Sequence, residues 1–139
     1  MPILTRLFIK TSFIYLIVAL LIGAALVARS VLPLPPWLAG LSPVYFHLLM
    51  VGWVTQLIFG VAYWMLPKYS QKQPHGFDGV WWASFWLLNA GVLLRMVAEP
   101  MRTAHPTALW GWALAVSAVL QWLAGLAFVF NAWLRTKER

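Results

Sequence analysis

The sequence predicts an all-α integral membrane protein, a single four-helix domain over residues 1–139. Composition is the first reason: 63% of residues are hydrophobic and 9% are charged, against about 25% charged in soluble domains. The second is four long apolar runs separated by polar or proline-containing loops. The third is ten tryptophans, which suit a protein that meets two membrane interfaces. The absence of cysteine excludes disulfides, thiolate metal sites and covalent heme attachment.

The first helix is predicted over about 7–28. A charge-free run over 11–28 follows Arg6 and Lys10. The run is longer than the apolar core of a usual signal peptide, and no clean cleavage site of small residues follows it. We therefore expect an uncleaved transmembrane helix.

The second helix is predicted over 43–66. The segment 29–41 before it contains three prolines and is expected to be a loop. Ser42 is a suitable helix cap, and Pro43 suits the first turn. The helix is expected to end before Pro67.

The third and fourth helices are predicted over about 80–98 and 107–134. The polar segment 67–79 precedes the third helix, and a short loop with Pro100, Arg102 and Pro106 follows it. All four spans have about the 20 residues needed to cross the hydrocarbon layer.

Basic residues predict the orientation, because they concentrate on the cytoplasmic side of inner-membrane proteins. The net charge is +7, and a membrane surface explains it better than nucleic acid, since the bases flank apolar runs. Seven basic residues are expected inside, against three outside: Arg6, Lys10, Lys68, Lys72, Arg135, Lys137 and Arg139 against Arg29, Arg95 and Arg102. Both termini are thus predicted to be cytoplasmic. The tryptophans agree, with Trp64, Trp81, Trp82 and Trp133 at the inner interface and Trp37, Trp110 and Trp112 at the outer one.

Three amides, Gln56, Asn89 and Gln121, lie near the centres of the second, third and fourth helices. Amides in hydrocarbon need partners, so helix–helix hydrogen bonding is one interpretation. A polar path for protons or a quinone is the other. The absence of a mid-membrane carboxylate argues against a proton-coupled transporter, such as a small multidrug-type protein.

His47 is the only histidine within a predicted span. On a straight helix of 100° per residue it shares an apolar face with Val51, Val54, Ile58, Val61 and Met65. A heme could lie on that face with His47 on its iron. Alternatively, His47 only forms a hydrogen bond to a neighbour at the interface. The residues alone leave both interpretations open.

Arg95 and Glu99 are four residues apart toward the outer end of the third helix, and Arg102 follows them. At that spacing Arg95 and Glu99 can form an ion pair, or Arg95 can extend to the interface. The two arginines are also suitable partners for heme propionates.

The stretch from His47 to Pro67 resembles the second helix of subunit I in the heme–copper oxidase superfamily, with nitric oxide reductases and cbb-type oxidases most similar. The shared pattern is a histidine near the outer end, then Gly52-Trp53, Phe59-Gly60 and a proline at the inner exit. It covers about 21 residues. In that family the histidine ligates the low-spin heme, so the resemblance implies a noncovalent b-type heme on His47, with Arg95 and Arg102 at its propionates.

The family subunit has twelve helices in three four-helix arcs, so this chain corresponds to one arc. The family's copper-binding histidines lie on later helices, and nothing here matches them; we expect no copper, no catalytic residue and no complete oxidase activity from this chain alone. A homotrimer would rebuild the twelve-helix plan. It would leave the second axial position to Met96, Met101, His105, water or nothing.

The expected function is electron transfer or gas binding by a homotrimeric b-type heme protein of the inner membrane. The alternative is a heme-free structural or assembly subunit of a respiratory membrane complex. The expected partners are further copies of the chain and membrane lipid, with respiratory-chain proteins or quinone as further candidates. Nucleic acid is not expected.

Overall fold

The computed structural model describes residues 1–136, and these form four helices long and apolar enough to cross a membrane. The first span is Ile3–Ala28, the second Pro36–Met65, the third Asp78–Ala104 and the fourth Ala108–Arg135. The predicted all-α fold with four membrane-length helices is confirmed. Residues 137–139, which include Lys137 and Arg139 of the charge analysis, lie outside the described residues.

The second span is not a straight α-helix. It begins with a 3-10 turn at Pro36–Leu41, continues as an α-helix at Ser42–His47 and a π-helix at Leu48–Thr55, and ends as an α-helix at Gln56–Met65. A π-helix bonds residues five apart and turns through a smaller angle per residue than an α-helix. The face drawn from His47 at 100° per residue therefore does not continue unchanged beyond the π segment.

The third span continues past Pro100, where the sequence predicted a loop. Pro100 lies near the end of the helix, where the loss of its N–H removes only one hydrogen bond. The 3-10 turn of the second span packs against this end. A Cβ on Gly40 would lie 2.7 Å from Thr103 Oγ1 and 3.3 Å from Pro100 Cα. Gly40 therefore allows the second span to pack closely on the end of the third span beyond its proline.

The two halves of the bundle are packed differently. We call the half with the chain termini and the 66–77 loop the lower half, and the other the upper half. The lower cluster takes buried residues from all four spans: Leu4, Phe8, Phe59, Tyr63, Trp81, Phe85, Leu88 and Ala124. The upper cluster takes them from the first three spans only: Tyr15, Ala19, Val44, Leu48 and Val92. The fourth span therefore contributes to the core mainly below.

Glycines on the second span allow the first span to approach closely. A Cβ on Gly60 would lie 2.6 Å from Phe8 Cβ, and one on Gly52 would lie 2.9 Å from Tyr15. Such contacts are typical of helix pairs in membranes, where small residues let backbones come together. Trp81 lies in the first turn of the third span and is fully buried in the lower cluster.

Candidate functional site

His47 is the last residue of the α segment, directly before the π-helix. Its Nδ1 lies 3.1 Å from the carbonyl oxygen of Pro43, one turn earlier. A carbonyl can only accept, so Nδ1 is the donor, and in the neutral ring Nε2 carries the free lone pair. Within residues 1–136, no hydrogen bond is formed by Nε2. The imidazole is thus held by one nitrogen and free to bind through the other.

An apolar stripe runs down the second span beside His47. Phe46, Met50, Val54 and Ile58 follow one another at intervals of four, and all are exposed. Of the face predicted from a straight helix, Val54, Ile58 and Met65 are exposed, while Val51 packs against both core clusters. The imidazole therefore borders an apolar surface. This surface differs from the predicted face, because it includes Phe46 and Met50 and excludes Val51.

Arg95 and Glu99 form an ion pair at 2.9 Å in the upper half of the third span. Both side chains are largely buried, and the buried Nε of Arg95 has no hydrogen-bond partner. The pair lines a groove of about 620 Å³ with Arg102, Thr103 and residues of the fourth span. The predicted site residues His47, Arg95 and Arg102 thus lie in the same upper region.

The three candidates for a second axial ligand occupy different environments. Met96 packs against the upper cluster, and Met101 is half-buried. His105 is exposed and follows the last residue of the third span. Its exposure makes it the easiest of the three to substitute without disturbing the core.

The predicted polar layer is not a connected network. Asn89 accepts a hydrogen bond from the Tyr15 hydroxyl at 2.8 Å and donates to the Phe85 carbonyl. Gln121 donates to Ser117 Oγ at 3.0 Å. Gln56 is fully buried, and neither its amide nitrogen nor its oxygen has a partner within the described residues. Asn89 thus forms a hydrogen bond between the first and third spans, while Gln56 remains a buried amide without a partner.

A polar cluster at the lower end was not predicted from the sequence. The buried Arg135 donates to the carbonyl of Tyr63 in the last turn of the second span and to those of Leu66 and Pro67 directly after it. These carbonyls have no helical partner, because the helix ends there. The sequence features that could have indicated this cluster are Arg135 in the last turn of the fourth span and Pro67 after the end of the second.

Asn131 holds the loop that enters the third span. Its amide nitrogen donates to the Phe77 carbonyl at 2.8 Å, and its oxygen accepts from the Phe77 N–H at 3.2 Å. Gly76 adopts φ +78°, and a Cβ there would lie 2.8 Å from the Asn131 oxygen. The glycine thus meets both a backbone and a steric requirement of this loop.

His75 lies in the same loop and stacks on Tyr63 with ring centroids 4.4 Å apart. The Tyr63 hydroxyl donates a hydrogen bond to Asp78 Oδ1 at 2.9 Å. Burial lowers the pKa of His75, and Arg135 lowers it further, while Asp78 opposes both. The fold therefore favours the neutral ring of His75.

No group of three or more metal-ligating His, Cys, Asp or Glu side chains occurs within residues 1–136. Comparison of the chain with family models, curated proteins and solved structures gives no match.

Proposed function

We propose that this chain is a b-type heme-binding protein of the inner membrane, with His47 as an axial ligand of the iron. The observation that carries the proposal is the hydrogen bond from His47 Nδ1 to the Pro43 carbonyl. Histidine ligands usually donate their second N–H in this way, which fixes the ring and its tautomer. The resemblance of His47–Pro67 to the heme-binding helix of oxidase subunit I supports the same assignment.

The surroundings of His47 fit a heme. The exposed stripe of Phe46, Met50, Val54 and Ile58 offers an apolar surface to a macrocycle. In the same upper region, the exposed Arg102 offers N–H donors to its propionates, and Arg95 lines the groove beside it. Glu99 already balances one charge of this group, so Arg102 is the more available cation.

A heme at this position would supply a one-electron couple or an iron atom for a diatomic gas. The residues of the chain would contribute three things. His47 would hold the iron through an imidazole fixed by the Pro43 carbonyl, the apolar stripe would exclude water, and the arginines would orient the propionates toward the upper membrane surface. Met96, Met101 and His105 are the candidates for the second axial position.

We propose a homotrimer with both termini in the cytoplasm. One four-helix arc per chain supports the trimer, since three arcs match the plan of the oxidase subunit that the second span resembles. The basic residues Arg6, Lys10, Lys68, Lys72 and Arg135 support the orientation, because all belong to the lower half or its loop. Such a trimer would transfer electrons through its hemes between respiratory-chain proteins, or between such a protein and quinone.

The competing function is a heme-free structural or assembly subunit of a respiratory complex. The mostly exposed apolar surfaces of the first and fourth spans favour it, since a larger complex would cover them. Heme content separates the two functions directly.

The test is a visible spectrum of protein purified in mild detergent after heme-replete expression, with pyridine hemochrome analysis. We expect a Soret band and b-type heme in the wild type. His47→Ala should abolish the band and keep the helical circular dichroism, because the imidazole supplies the iron bond and little of the packing.

His105→Ala is the matched control, since it removes a histidine from the same end of the protein. It should keep the heme and at most change its spin state. A wild type without heme, or His47→Ala with an unchanged spectrum, would overturn the assignment and favour the structural subunit.

A further inference from the structure

A small pocket opens at the lower end of the bundle, far along the second span from His47. It has a volume of about 270 Å³ and lies between the first residues of the chain, the end of the second span, the following loop and the end of the fourth span. Its lining residues are Pro2, Trp64, Leu66, Lys68, Pro74, His75 and Arg135.

The pocket carries positive charge. Arg135 is 3% exposed, and its three hydrogen bonds all go to carbonyl oxygens. A guanidinium has more N–H donors than these three bonds use. Lys68 adds an exposed ammonium from the loop. A ligand here is therefore expected to be an anion with several acceptor oxygens.

Among residues 1–136, Asp78 is the acidic residue at this end of the bundle, and it is already engaged. Asp78 accepts the Tyr63 hydroxyl at 2.9 Å and lies 4.0 Å from His75 Nδ1. It is not among the residues that line the pocket. Among residues 1–136, Arg135 forms no ion pair with a carboxylate. Its buried charge thus lacks an anionic partner from the described part of the chain, which is costly unless another anion supplies one.

The walls of the pocket identify the source of the anion. Trp64 lies in the last turn of an apolar span and is 52% exposed, and Leu66 directly follows the span. Tryptophan at a span end lies at the level of lipid headgroups. Basic pockets between helices at this level suit lipid head groups. A soluble anion would not use the apolar surface of the second span above Trp64, toward the membrane centre, whereas the acyl chains of a lipid would.

We propose that this pocket binds the phosphate headgroup of an anionic phospholipid from the adjacent leaflet. Arg135 and Lys68 contact the phosphate, and Trp64 packs beside the glycerol and upper acyl chain. This lipid links the ends of the second and fourth spans through Arg135. The site is independent of the heme proposal, since it shares none of its residues.

Native mass spectrometry of the detergent-purified full chain tests the proposal. Phosphatidylglycerol and phosphatidylcholine are added at equal concentrations, and bound lipid per chain is compared. We expect at least one phosphatidylglycerol that persists when phosphatidylcholine has dissociated. Equal retention of the two lipids would overturn the proposal.

Lys68→Gln and Lys72→Gln form a matched pair, because both lysines are exposed in one loop and only Lys68 lines the pocket. Lys68→Gln should weaken phosphatidylglycerol binding about fivefold, the effect of one basic residue near a membrane surface. Lys72→Gln should change it less than twofold. Equal weakening by both would indicate a diffuse charge effect and contradict a built site.

Soluble anions distinguish the source of the phosphate. Inorganic phosphate and glycerol 3-phosphate are added at millimolar concentration to the phosphatidylglycerol complex. Retention of the lipid supports a site that also uses the apolar surface. Displacement of the lipid by either soluble anion would overturn the proposal, since it would show a simple phosphate site.

Discussion

The lower and upper halves of the bundle solve the same packing problem differently. Below, all four spans meet in one cluster, and the loop and helix ends are tied by Asn131 and Arg135. Above, only three spans form the apolar cluster, and a groove opens between the third and fourth spans beside Arg95. The fourth span is close to the second in the lower half, where Phe59 and Phe128 stack at 4.0 Å.

Buried polar atoms without partners occur in both halves. Within the described residues, Arg95 Nε lacks a partner in the upper half, beside the groove that Arg95 lines. Trp53 Nε1, both amide atoms of Gln56 and the Thr5 hydroxyl lack partners at or below the centre of their spans. The comparison therefore rests on packing: the helix ends are tied together in the lower half, and a polar groove opens in the upper half.

Arg135→Gln should produce the largest loss of stability. It removes three hydrogen bonds from the last carbonyls of the second span, at a cost of roughly 3 kcal/mol. Arg29→Gln is the control, since Arg29 is an exposed arginine at the upper end. Thermal unfolding in detergent, followed by circular dichroism, measures both variants. Equal melting temperatures for the two would refute the stabilising role of the lower end.

Gly60→Ala should be the next largest. The new Cβ would lie 2.6 Å from Phe8 Cβ, so the first and second spans must separate, at about 1–3 kcal/mol. Gly125→Ala is the matched control, because nothing lies within 4 Å of its Cβ position. That variant should retain or slightly raise the melting temperature, since alanine favours the helix. If Gly60→Ala were equally harmless, the close packing of these spans would be in error.

Asn89→Leu and Gln56→Leu sharpen the comparison of paired and unpaired amides. Asn89→Leu removes the bonds to Tyr15 and Phe85 and should cost about 1 kcal/mol. Gln56→Leu removes an amide without partners and should leave the melting temperature unchanged or raise it. The same melting experiment decides; a loss in Gln56→Leu as large as in Asn89→Leu would show that Gln56 has a partner.

The spans were predictable, and the details that shape the site were not. Long apolar runs and their charged or proline-containing flanks are sufficient to locate four helices. The π segment depends on packing between spans, as does the continuation of the third span past Pro100. The burial of Trp81 depends likewise on which spans meet, and its Nε1 donates to the His75 carbonyl in the adjoining loop.

The candidate site was partly accessible from the sequence. A single histidine within a span is a visible signal, and its spacing to Pro43 by four residues is compatible with the bond that fixes the ring. The unpaired amide of Gln56 and the capping by Arg135 required knowledge of which spans meet. Both depend on contacts between residues far apart in the chain, which no local pattern encodes.

Rescue of His47→Ala by free imidazole tests the central claim most directly. Imidazole at millimolar concentration is added with hemin to the purified variant, and the Soret band and the melting temperature are recorded on the same sample. We expect heme binding to return only with imidazole, because the added ring replaces the missing ligand, while the melting temperature of the apoprotein matches that of the wild-type apoprotein. Two results would contradict a heme site on His47: full heme binding by the variant without imidazole, or no heme binding by the variant and the wild type alike.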